Sequence, residues 1–243
     1  MTEPPRPSRP PTQTGWQAAT VVDVRQETAS AKTFRLALER PGPFRAGQHY
    51  VVRLTAPDGY TASRSYSVAS APDDGDGEIE LTVELLEDGE VSGYLHEVVE
   101  PGDRLEVRGP VGGWFTWDAD TPALLVGGGS GVVPLMSMLR LARMRRREDL
   151  IRLVVSVRSP ADLYYADELP GPEARVVYSR EAPPGESRPP GRLTAEDLLP
   201  APDRRTTTYL CGSAGFVEAA ARLLVEVGVP VERIRVERFG PSG

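Results

Sequence analysis

Between Trp16 and Trp117 the chain carries short runs of alternating apolar and polar positions, broken by turns. Phe34, Leu36 and Leu38 recur at every second position until Pro41-Gly42-Pro43 stops the run. His49 to Leu54 is a second strand candidate. In a third, Ile79, Leu81, Val83 and Leu85 alternate with Glu80, Thr82 and Glu84, which leaves one face to bury. Pro101-Gly102-Asp103 then turns the chain into Leu105-Glu106-Val107. Short strands at this spacing predict an antiparallel β-barrel. One helix interrupts them: Ser92 offers an N-cap for Gly93 to Val99, and its first turn would present free N–H groups to an anion.

After Trp117 the pattern changes. Ala123 to Val126 is a continuous apolar run, as expected of a parallel strand covered on both faces. Gly127-Gly128-Gly129-Ser130-Gly131 follows, and Val132 to Leu139 starts a helix with Pro134 in its first turn. Further strands are predicted at Ile151–Val157, Arg175–Tyr178, Thr208–Cys211 and Ile234–Phe239. Helices are predicted over Ala161–Leu169 and from Phe216 to Val227, where Gly228 and Pro230 end the second. This is a Rossmann-like α/β domain with a parallel sheet. The division is a tail over 1–14, a barrel domain over 15–117 and an α/β domain over 118–243.

Composition narrows the function. The 243 residues carry a net charge of −7, so no basic excess exists to neutralise a nucleic acid. Lys32 is the only lysine. Cys211 is the only cysteine, which excludes an internal disulfide, a cysteine-ligated zinc site and a cysteine-bound iron–sulfur cluster within this sequence. No apolar stretch is long enough to span a bilayer. Met1 to Thr14 lacks the apolar core of a signal peptide and reads as a polyproline-like tail. The expectation is a cytoplasmic protein with no membrane contact.

The candidate chemistry centres on Arg64-Ser65-Tyr66-Ser67. A guanidinium fork suits a phosphate. The Tyr66 ring can lie on another ring, and Ser67 offers a hydroxyl and a backbone N–H side by side. A ligand with a diphosphate and a large planar ring would use all three. The glycine loop at 127–131 repeats the theme, since strand, glycine loop and helix hold a diphosphate at a helix N-terminus. The strict G-x-G-x-x-G spacing fails, because Val132 stands at its third glycine. In a parallel sheet, ligands bind beyond the carboxyl ends of the strands, here the 127–131 loop, Arg158-Ser159, Ser179-Arg180 and Cys211-Gly212. The cluster Arg143, Arg145, Arg146, Arg147 reads as a solvated helix end, with an acidic docking partner as the alternative.

Taken in order, these motifs resemble the ferredoxin–NADP reductase superfamily of flavoproteins. The match runs through Arg64-Ser65-Tyr66-Ser67, Gly89-Glu90-Val91-Ser92, Gly109-Pro110-Val111-Gly112, Gly128-Gly129-Ser130-Gly131-Val132-Val133-Pro134, Cys211-Gly212 and Glu237-Arg238-Phe239. The resemblance implies an FAD barrel followed by a nicotinamide dinucleotide domain. It implies that Arg64 and the loop Gly89, Val91, Ser92 hold the FAD diphosphate, with Ser65 beside them. Tyr66 would pack on the isoalloxazine and Ser67 would hydrogen-bond near its N5. Ser130, within the loop Gly128 to Val132, would touch the flavin from the second domain. Cys211, Gly212 and Glu237 would line the point where nicotinamide meets flavin, and Phe239 would cover the flavin face. A serine–arginine pair matching Ser179-Arg180 would take an NADP 2′-phosphate, with Arg158 adding to the field. NADP(H) is therefore the expected dinucleotide, with NADH as the other candidate donor.

Two departures stand out. Glu84 occupies a place where many relatives carry a basic residue, and the cysteines of an attached plant-type ferredoxin domain are absent from this sequence. The expectation is a stand-alone reductase whose acceptor is a separate ferredoxin or oxygenase component. A free-flavin or ferric-siderophore reductase is a second reading. An FAD-binding electron-transfer subunit that does not itself use NAD(P)H is a third.

Overall fold

A computed structural model describes residues 15–72, 77–200, 203 and 205–240. The Pro-rich tail expected over 1–14 lies outside the described residues. The first sheet has six antiparallel strands: β1 (Gln17–Thr28), β2 (Ala31–Leu38), β3 (His49–Thr55), β4 (Thr61–Ser67), β5 (Glu78–Glu84) and β6 (Arg104–Val111). Their order is β4-β3-β6-β1-β2-β5. The sheet curls so that its two edges meet. Val68 bridges Leu81, and the Ala69 amide donates to the Glu80 carbonyl at 2.8 Å. That closure makes the barrel and removes both open edges. The alternation read from the sequence fills it, with Phe34, Leu36, Ile79, Leu81 and Val83 all buried. Leu85 does not continue that face; it lies beyond β5 and is exposed.

The helix α1 (Glu90–Glu97) crosses one end of this barrel. Its N-cap is Gly89, not Ser92 as the sequence pattern suggested. The chain turns tightly before it, and the buried Ser92 hydroxyl faces back into that turn. It accepts from the Leu86 amide at 3.2 Å and donates to the Gly89 carbonyl at 3.2 Å. Ser92 thus braces the loop from inside the first helical turn. A side chain at Gly89 would come within 2.2 Å of the Ser92 Oγ, so the turn needs glycine there.

The second sheet is parallel: β7 (Ala123–Gly128), β8 (Ile151–Val157), β9 (Ala174–Tyr178), β10 (Thr207–Ser213) and β11 (Ile234–Phe239), in the order β11-β10-β7-β8-β9. Helix α2 (Val132–Met144) follows the glycine loop, and α3 (Ala214–Glu226) follows β10 with Ser213 as its N-cap. No helix of the described residues is long and apolar enough to cross a membrane.

The helix expected over Ala161–Leu169 is absent. Only a 3-10 turn at Pro160–Asp162 forms, and Tyr165 takes a positive φ of 56°. Tertiary burial overrides helical propensity here, because Leu163, Tyr164 and Tyr165 are all buried in one stretch. The Tyr165 amide donates to Glu27 of β1 at 3.0 Å, and its hydroxyl meets Thr82 of β5 at 2.6 Å. The arginine cluster ending α2 is largely spent within the chain. Arg143 pairs with Glu173 at 2.6 Å, and Arg145 donates to the Asp118 carbonyl at 3.1 Å.

Candidate active site

In the barrel, β4 pairs with β3 so that Tyr66 lies opposite Tyr50 and Arg64 opposite Val52. Arg64 and Tyr66 are two residues apart on one strand, so both project to the same side. The Arg64 guanidinium is exposed and donates to the neighbouring Ser63 carbonyl at 2.8 Å. Tyr66 is half-buried and Ser67 buried, while Ser65 points to solvent. Burial holds the Tyr66 hydroxyl well above the usual phenol range. Tyr60, just before β4, donates to the Glu90 carboxylate at 3.0 Å and so ties β4 to the first turn of α1. The sequence carried no signal for that bond, since its partners are thirty residues apart.

In the second domain each loop glycine has its own reason. Gly129 has a φ of +55°. A side chain on Gly131 would meet the Cys211 carbonyl oxygen at 2.2 Å, and one on Gly128 would meet the Phe216 ring at 2.5 Å. The loop therefore lies directly on the end of β10. Phe216, which sequence reasoning placed only on an apolar helical face, also closes over Gly212, where an added side chain would meet its ring at 2.7 Å.

Cys211 is flanked in the sheet by Gly127 of β7 and Glu237 of β11. It is fully buried, and burial together with the Glu237 charge pushes its thiol well above the ordinary range. Such a thiol is no nucleophile at neutral pH. Burial also raises the Glu237 carboxyl to about 7. Two positions further on, Phe239 is half-buried and packs against the apolar cluster that contains Cys211.

At the opposite edge of the sheet, the Ser179 amide donates to the Val157 carbonyl at 2.8 Å and the Arg180 amide to the Arg158 carbonyl at 2.9 Å. Arg158 and Arg180 thus sit side by side at the ends of β8 and β9. Both are exposed, and neither guanidinium has an acidic partner among the described residues. Arg158 stands two strand spacings from Cys211 and Arg180 three, roughly 10 and 14 Å across the rim. The fold does not gather the predicted residues at one point. It spreads them along the rim and on the adjoining barrel wall.

The family model for an oxidoreductase FAD-binding domain matches residues 18–116, and that for an oxidoreductase NAD-binding domain matches residues 125–222. The reductase component of the naphthalene 1,2-dioxygenase system of Pseudomonas putida, a ferredoxin–NAD(P)(+) reductase, is 31% identical over 234 residues, covering 92% of this chain and 69% of that protein. This chain belongs to the ferredoxin–NAD(P) reductase family. It is a flavoprotein oxidoreductase with an FAD-binding and an NAD-binding domain. The solved FAD/NAD-binding domain of a nitric oxide dioxygenase from Vibrio cholerae superposes on this reductase with a TM-score of 0.81 at 25% identity, covering 93% of this chain and 99% of the other. An Amycolatopsis cytochrome P450 reductase superposes with a TM-score of 0.77 at 29% identity, covering 93% and 70%.

The residues present fit both groups that this family carries. On the barrel side are an exposed guanidinium without an acidic partner among the described residues, a half-buried phenol ring beside it, and a glycine-capped helix start joined to them through Tyr60. On the sheet side, the glycine loop keeps a cradle that side chains would fill. A first expected result follows. Arg64→Ala in this reductase should weaken FAD retention by about 1.5–3 kcal/mol, the usual worth of a charge-assisted hydrogen bond. Fluorescence titration of the apoprotein with FAD checks it, and an unchanged affinity would remove Arg64 from the site.

Proposed function

We propose that this protein takes reducing equivalents from NADPH and passes them to a separate ferredoxin or oxygenase component. The observation that carries this reading is the rim of the parallel sheet. Two arginines without acidic partners among the described residues lie at one end, the Cys211–Glu237 pair lies at the other, and the glycine loop lies between. An extended dinucleotide has a charged end, a diphosphate and a flat ring in that same order.

The barrel residues hold FAD: Arg64 and the N-terminus of α1 take the diphosphate, Tyr66 lies along the ring, and Ser67 bonds at its reactive edge. Gly128, Gly129, Ser130, Gly131 and Val132 take the dinucleotide diphosphate, while Ser179, Arg180 and Arg158 take the 2′-phosphate. When bound, FAD accepts a hydride from the nicotinamide and releases electrons one at a time. The chain's own contribution is position and charge. Cys211 and Gly212 form the floor under the nicotinamide. Glu237, with its carboxyl near the midpoint of titration at pH 7, tolerates a change of charge beside it. Phe239 shields the ring until nicotinamide displaces it. We place the domain boundary between Trp117 and Asp118.

The acceptor class is drawn from the relatives, which include a dioxygenase-system reductase component and a cytochrome P450 reductase. A cytoplasmic location goes with this reading, since a reduced NADPH pool would supply the donor. Anaerobic mixing of the FAD-loaded protein with NADPH, followed at the flavin absorption band, tests the reading. Bleaching within one turnover is expected, and reoxidation by a ferredoxin should outpace transfer to free flavin. A band that neither NADPH nor NADH bleaches would instead indicate an electron-transfer subunit.

A further inference from the structure

Helix α2 begins at the proposed dinucleotide loop, yet two of its polar side chains, Ser137 and Arg140, reach across to the first domain. Ser137 is fully buried, and its hydroxyl does not turn back on its own helix, the usual choice for a helical serine. It donates to the Ser70 carbonyl at 2.7 Å. Three residues on, Arg140 donates to the Ala69 carbonyl at 3.1 Å and to Glu80 of β5 at 2.7 Å, and it pairs with Glu168 at 2.5 Å. Glu80 closes the circuit: its amide donates to the Ser70 Oγ at 3.0 Å, and its carbonyl accepts from the Ala69 amide at 2.8 Å. Ala69 and Ser70 are thus gripped by β5 on one side and by α2 on the other. They follow Ser67, the expected flavin contact, by two and three residues.

We propose that Ser137 and Arg140 are positioning residues for hydride transfer: they set the spacing between the dinucleotide loop and the flavin-facing end of β4. This rests on the NADPH-to-FAD reading given above. Ser137 lies five residues into α2, about 7.5 Å along the axis from Val132. A helix is stiff over that length, so slack at Ser137 or Arg140 moves the loop. Neither side chain belongs to the groups assigned to FAD or to the nucleotide. Their loss therefore changes the approach of the two rings and leaves each separate grip intact. A misplacement of about 1 Å is enough to cost on the order of a hundredfold in rate.

The test compares FAD-loaded wild type with Ser137→Ala, Arg140→Met and the conservative Arg140→Lys. Rapid anaerobic mixing with NADPH gives the rate of flavin reduction, and titration with NADP⁺ gives affinity and the charge-transfer band. Amide exchange of the apoprotein reads Ala69–Ala71 and Gly129–Leu135 directly. For Ser137→Ala and Arg140→Met we expect a reduction rate at least tenfold lower and a weaker charge-transfer band. Exchange in both segments should be faster, while FAD and NADP⁺ dissociation constants stay within about twofold. Arg140→Lys should recover part of the rate. Unchanged reduction rates, or a loss accounted for by weaker FAD or NADP⁺ binding, would overturn the proposal. If Arg140→Met does not fold, Ser137→Ala decides alone, since it removes a single hydrogen bond. Failure of the functional reading would look different: wild type itself would take no hydride from NADPH or NADH, and this proposal would fall with it.

Discussion

Replacing Arg180 with Ala is expected to lower kcat/KM for NADPH by about tenfold or more, with NADH efficiency nearly unchanged. The arginine ends β9 beside Arg158, and the two backbones are joined at 2.9 Å. Two exposed guanidiniums without acidic partners among the described residues form a ready field for a dianion. A 2′-phosphate would add hydrogen bonds as well as charge, which suits the planar fork of arginine. Solvent exposure weakens such a contact, so the lower end of the usual range applies. About 1.4 kcal/mol corresponds to the tenfold loss. Glu181 follows directly and offsets part of the field. The stretch from Ile151 to Ser159 holds no Asp or Glu that could bind the ribose 2′-OH of NAD. Steady-state kinetics with both donors, on wild type and variant, give the answer. The NADPH preference should also shrink with added salt, because exposed charges are screened. Equal use of both donors by wild type, or an equal loss for both in the variant, would remove Arg180 from donor selection.

The second large effect is expected from Gly131→Ala. Its φ of −61° suits any residue, so backbone strain is not the cause. The cause is contact: the added carbon would lie 2.2 Å from the Cys211 carbonyl oxygen, 2.5 Å from its carbon and 2.6 Å from the Gly212 nitrogen. All three are backbone atoms near the C-terminal end of β10 and have no rotamer to change. Either the loop lifts from the sheet or the end of β10 moves, and both displace the loop proposed to hold the diphosphate from the proposed nicotinamide contact at Cys211. Overpacking of this kind costs about 1–3 kcal/mol in stability. We expect a lower Tm, NADP⁺ binding at least tenfold weaker, and flavin reduction slowed further. FAD affinity should hold, because the residues proposed to bind it lie in the barrel. Thermal unfolding and the two binding titrations separate these effects. A variant with normal NADP⁺ affinity would mean that the loop does not carry the diphosphate.

The strands were the most legible feature of this chain. Alternation at Phe34–Leu38 and Ile79–Val83 marks strands with one buried face, and the run Ala123–Val126 marks a strand covered on both. The strands predicted at Ile151–Val157 and Ile234–Phe239 have the bounds that the structure shows. Side-chain periodicity is a local property, so a local reading recovers it. The Ala161–Leu169 helix failed for the opposite reason. Three consecutive buried residues, Leu163 to Tyr165, satisfy contacts to the barrel that no window of this length contains. Ser92 failed similarly, since its hydroxyl is claimed by Leu86 and Gly89 in a turn closed before the helix begins.

The motifs by themselves determined the two-domain order, the strand-and-loop grammar of each half and the chemistry of the candidate groups, because residue type and spacing along the chain carry those. Only the tertiary structure decided how the groups stand to one another. The closure at Val68 and Leu81, the seat of Gly131 on Cys211, and the separation of Arg180 from Glu237 across the rim all join residues far apart in sequence. The bonds from Ser137 and Arg140 to Ala69 and Ser70 span about seventy positions. Such contacts follow from how two finished domains pack, and packing depends on every buried surface at once.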